Sequence, residues 1–161
     1  MDADQALRKH VVSLLQGRGA HMDFEHAIAE FPAKHINTYP PNMLYTFWHL
    51  LEHLRITQGD ILEYARDPKH VSPEWPEGYW PAPDAQADEL AWQATANQFR
   101  SDLQGMIDLV NDPQTDLLTP IPHGHNGHTV LREALILADH NAYHIGELGI
   151  LRQIADAWPD H

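Results

Sequence analysis

Proline and glycine cut this chain into long blocks with a helical period, and that punctuation limits the fold more than any other feature. The first block runs from about Asp2 to Gln16, with Asp2 in position to cap it and Leu7, Val11, Leu14 and Leu15 at helical spacing. Gly17 and Gly19 end it, and a short helix is expected over Asp23 to Phe31, before Pro32. A second long block covers about Asn42 to Arg66, with a stripe of Phe47, Leu50, Leu51, Leu54, Ile61, Leu62 and Ala65, closed by Pro68. The third runs from about Ala85 to Asn111 on Leu90, Ala94, Phe99, Leu103, Met106 and Val110. The last begins at Thr129, a good N-cap, and continues to about Trp158. No segment alternates with period two, so no sheet is expected. One all-α domain over residues 1–161 follows, built as a four-helix bundle with an extra short helix.

Two connections stand out. DPKHVSPEWPEGYWPAP, from Asp67 to Pro83, holds five prolines and cannot be a helix interior. Its Trp75, Tyr79 and Trp80 are expected to pack over the bundle. The loop before the last block contains PIPHGHNGH, where His123, His125 and His128 form either a second metal-scavenging cluster or a plain polar turn, the reading preferred here.

Composition narrows the function classes. The formal charge is −13, and the 10 Lys and Arg residues are scattered, which argues against nucleic acid or an acidic membrane surface as partner. No apolar run is long enough for a membrane span, and MDADQALRKH has no apolar signal region, so a cytoplasmic protein is expected. The absence of cysteine removes disulfides, thiolate ligands and a cysteine nucleophile. The unusual count is histidine, at 13. Imidazole is the commonest metal ligand and the usual acid or base near neutral pH.

Two histidine pairs share the spacing His-x-x-x-His: His49 with His53, and His140 with His144. In a helix this spacing puts two rings on one face, one turn apart. Stepping about 100° per residue places His140 and His144 in the sector of Leu137, Leu148 and Leu151. A third ligand must come from another helix. His53 lies nearer the Leu50–Leu54–Ile61 stripe than His49 and is the better choice, while His49 is expected to face solvent. The alternative for His53 is a core-edge histidine bonded to a backbone carbonyl.

The segments LLEHLRITQGDILEYAR (residues 50–66), SPEWPEGYWP (72–81) and LREALILADHNAYHIGELGILRQIADAW (131–158) resemble the DinB-like family of metal-dependent enzymes. The resemblance implies an up-up-down-down bundle with one long crossover. It also implies one ion, zinc or nickel, on three histidines: that of LLEHL, His53, and the pair of DHNAYHIGEL, His140 and His144. Relatives tend to pair, so a homodimer is expected.

Three imidazoles leave a coordination position open, the mark of a catalytic rather than a structural site. Such an ion could polarise a substrate oxygen or stabilise a thiolate, and any thiol would have to be a small cosubstrate. The expectation is a metal-dependent transferase or hydrolase acting on a small molecule; the alternative is a non-catalytic metal sensor or buffer. No general base stands out. Glu133 and Glu147 could support an imidazole, but solvent-facing charges are preferred. Asp60 could approach the site, and Tyr143 is read as packing.

Overall fold

A computed structural model describes residues 2–17 and 19–159. Helix α1 spans Ala3–Leu15, α2 Phe24–Ile28, α3 Phe47–Arg66, α4 Glu89–Asn111 and α5 Val130–Ile154. Single 3-10 turns lie at Ala33–His35 and Glu77–Tyr79. Among the described residues the architecture is all-helical, with one isolated bridge between Pro120 and Thr129.

Each helix starts where a side chain takes over an unpaired backbone N–H. Asp2 accepts from the Gln5 amide and Thr129 from that of Arg132, as expected. Asp23, Thr46 and Asp88 do the same for α2, α3 and α4. The caps at Thr46 and Asp88 delay α3 and α4 by several residues relative to the sequence expectation, which began them at about Asn42 and Ala85.

The phase of α4 also differs from the expected stripe. Trp92, Thr95, Ala96, Phe99, Met106, Ile107 and Val110 are buried, whereas Leu90 is 80% exposed and Ala94 is exposed. Leu90 lies about 160° around the helix from Trp92, at 100° per residue, so the larger ring sets the buried face.

Helix α3 packs on α4 and on α5, and α1 packs on the same two. Side-chain links show direction. Trp48 Nε1 donates to Thr95 Oγ1 and Gln58 Nε2 to the Phe99 carbonyl, so α3 and α4 run the same way. Tyr45 reaches Glu147 while Gln58 accepts from Asn141, so α5 runs the opposite way. Arg8, near the start of α1, donates to the carbonyl of Val110 at the end of α4, and Leu15 lines a small cavity with Phe99 and Leu103. Helix α1 is therefore antiparallel to α4. The up-up-down-down order gives way to one in which the two middle long helices are the parallel pair. Parallel neighbours need a connection that travels back along the helix, and residues 67–88 provide it.

Two apolar clusters fill the interior. One gathers Leu50, Leu51, Leu54, Phe99, Leu148 and Leu151; the other gathers Leu62, Ala65, Met106, Val110, Ala134 and Leu137. A polar layer lies between them along α3 and α5. Asn141 Nδ2 donates to Gln58 Oε1 at 2.8 Å, and Gln58 Nε2 to the Phe99 carbonyl at 2.6 Å. His53, His140 and His144 belong to this layer.

Candidate metal centre

Antiparallel packing of α3 on α5 decides the site. His140 and His144 stand one turn apart on α5, and His53 meets them from α3. One ring nitrogen from each of the three lies within 4.8 Å of the others. His53 Nε2 and His140 Nε2 are 3.1 Å apart. Two nitrogens bound at about 2.05 Å to one tetrahedral ion stand about 3.3 Å apart, so the spacing fits. The ring centroids are 5.0, 4.8 and 4.6 Å apart for the pairs 53–140, 53–144 and 140–144.

Two of the rings are fixed from behind. His53 Nδ1 donates to the Tyr79 carbonyl at 2.8 Å, and the Trp80 ring stacks on the imidazole at 3.9 Å and 2°. His144 Nδ1 donates to Glu147 Oε2 at 2.7 Å, and the Tyr45 hydroxyl donates to the other carboxylate oxygen. With Nδ1 protonated, each ring presents an Nε2 lone pair. His140 Nδ1 is buried without a hydrogen-bond partner among the described residues. The donor set, the spacing and the backing together fit a divalent ion.

Burial favours the neutral form of two of the rings, His140 and His53. Burial, reinforced by His144 and then His53, lowers His140 to about 3. Burial also lowers His53, against the pull of the Tyr79 carbonyl. Neutral imidazole is the metal-binding form. Burial pushes the Glu147 carboxyl up, but the hydrogen bonds from His144 and Tyr45 outweigh it and hold the group below the ordinary range. Burial and then Glu147 raise the Tyr45 hydroxyl.

The other candidates fall elsewhere. His49 is buried, not solvent-facing: its Nδ1 completes the Thr46 cap and its Nε2 donates to the Ala85 carbonyl at 2.8 Å. Glu147 and Glu133 are likewise not solvent-facing. Glu147 backs His144, while Glu133 is buried against Arg132 and His128, away from the three rings. Asp60 accepts from Tyr79 Oη and pairs with His70 Nε2. Tyr143 is 70% exposed with its ring at 4.8 Å from that of His144, so it borders the site instead of filling the core. Of the crossover aromatics, Trp80 packs inward but Trp75 stays 73% exposed. The rings of His123, His125 and His128 surround Tyr64 at 6.0–6.5 Å. His123 Nε2 donates to the Tyr64 carbonyl, which makes this cluster a loop anchor.

Sequence reasoning missed Tyr45 and the Tyr79 carbonyl. The sequence reading put Tyr45 inside the second helical block, whereas it precedes the Thr46 cap of α3, and a carbonyl carries no residue signature.

Fold and site define an all-helical protein with a three-histidine centre able to hold a divalent ion. The chain belongs to the DinB superfamily, which it matches over residues 16–148. No curated protein and no solved structure matches it.

Proposed function

We propose that the chain is a divalent-metal-dependent enzyme that acts by transfer or hydrolysis on a small molecule, with His53, His140 and His144 as its ligands. One observation carries this reading. Three imidazoles converge, and among the described residues no fourth His, Asp or Glu joins the group. A position is thereby left for water or substrate. A bound ion would supply Lewis acidity there.

The chain's own residues do the rest. The Tyr79 carbonyl and Glu147 hold two Nδ1 protons, which commits two Nε2 lone pairs to the centre. Trp80 covers one face of His53 and keeps water from it. Glu147 fixes the ring orientation of His144 through that Nδ1–H bond. Zinc and nickel both suit imidazole donors and are the metals we favour. A small thiol is a fitting cosubstrate, because the chain has no cysteine to supply one.

We read the four long helices as a DinB-like bundle in a cytoplasmic homodimer. No helix among the described residues is long and apolar enough to cross a membrane, and exposed Trp75 offers apolar surface to a second copy. The net charge of −13 speaks against nucleic acid as partner.

Elemental analysis after purification without a histidine tag tests the metal site. We expect one ion per chain, reduced at least tenfold in His144→Ala. No stoichiometric metal in the wild type would overturn the reading. Bound metal with no turnover on a panel of small thiols and esters would favour the sensor or buffer.

A further inference from the structure

Two of the ties between the crossover and α3 lie seven residues apart, and one residue makes both. The Tyr79 hydroxyl donates to Asp60 Oδ2 at 2.7 Å, while the Tyr79 carbonyl accepts from His53 Nδ1 at 2.8 Å. Asp60 Oδ1 takes a second crossover group, His70 Nε2, also at 2.7 Å. The Asp60 side chain is only 11% exposed, so these bonds meet little competition from water.

We propose that Asp60 and Tyr79 are positioning residues for His53: the carboxylate fixes the tyrosine, and the tyrosine carbonyl fixes which imidazole nitrogen faces the ion. The metal-binding part rests on the function proposed above; the positioning of the ring does not. A neutral imidazole has one N–H, and its location follows the stronger acceptor. For His53 an acceptor held still beside Nδ1, here the Tyr79 carbonyl, leaves Nε2 as the lone pair. The crossover around Tyr79 is a single 3-10 turn, Glu77–Tyr79, between proline-rich stretches. It has no helical ladder to hold that carbonyl, so the hydroxyl bond to α3 supplies the constraint. The Trp80 ring, next in sequence, stacks on His53 only while Tyr79 stays in register.

The test uses Tyr79→Phe and Asp60→Ala in the full chain, with Tyr39→Phe as control. Tyr39 also ties the crossover, through its hydroxyl to the Pro83 carbonyl at 2.8 Å, but it does not reach His53. Nitrogen-15 spectra of metal-free protein report the tautomer of His53, and chelator competition reports zinc affinity. We expect the Nδ1–H tautomer in the wild type and in Tyr39→Phe, and a mixture in the other two. The zinc Kd should rise about tenfold in both, the low end for loss of outer support. The double variant should be no worse than Asp60→Ala alone, because that change already removes the tyrosine linkage along with the His70 bond. A wild-type tautomer and a Kd within twofold in Tyr79→Phe would overturn the proposal, as would an equal effect of Tyr39→Phe. Should Asp60→Ala not fold, Tyr79→Phe decides alone. A wild type that binds no zinc refutes the metal site, and the tautomer still decides on the relay.

Discussion

Acidifying the metal-free protein should expose the cost of burying its histidines. Burial first, then His144 and His53, hold His140 at about 3, against 6.5 for an ordinary histidine. Above pH 6.5 the ring is neutral folded or unfolded and contributes no slope. Between 6.5 and 3 the unfolded chain takes up a proton that the native ring refuses, so stability falls as pH falls. From pH 7.5 to 5.0 this amounts to at most ~2 kcal/mol for one group, and to about 1 kcal/mol once water at the half-buried ring is allowed for. His53 shifts in the same direction and adds with the same sign. Glu147 is depressed instead, so its contribution is lost only as pH falls through its own low folded value, below this window. Urea denaturation with chelator present, at pH 7.5 and 5.0, on wild type and His140→Leu, isolates the term. The variant should lose about 1 kcal/mol less than the wild type on acidification. Equal losses in the two proteins would refute the reasoning.

Glu147→Gln keeps an acceptor beside His144 but removes the charge, and zinc affinity should fall about tenfold or more by chelator competition; an unchanged Kd would deny the carboxylate a role. Arg152 is fully buried and donates to the carbonyls of Ala27, Ala29 and Ala157, with its guanidinium 3.8 Å from the centre of the Trp158 ring. Arg152→Ala strands those carbonyls and opens a cavity, so urea unfolding should show a loss of about 3 kcal/mol or more. A loss below about 1 kcal/mol would mean that the C-terminal turn rearranges to satisfy them.

The readable parts of this chain are local. Asp2 and Thr129 announce helix starts because a cap lies next to the helix it serves. The stripe of α3 is legible because its apolar residues are large and evenly spaced. Leu90 misled because a hydrophobic residue in the first turn of α4 fits a helical period without touching the core, 80% exposed as it is. His49 misled for the opposite reason: a histidine off the apolar stripe is buried by a cap and a crossover carbonyl, both outside the helical pattern. The direction of the long helices, given as up-up-down-down by the resemblance alone, is not legible in periodicity, which says which face is buried and nothing of which way a neighbour runs.

The residue pattern alone puts His140 and His144 on one helix face, because 3.6 residues per turn fixes that geometry wherever the helix lies. It also placed His53 at the edge of a buried stripe. Only the tertiary structure brought the three rings together, by laying α3 antiparallel on α5 where two apolar clusters leave a polar layer between them. It alone set the Tyr79 carbonyl and Glu147 behind two of those rings. Every residue has a carbonyl and acidic side chains are common, so their selection comes from the path of the chain in space.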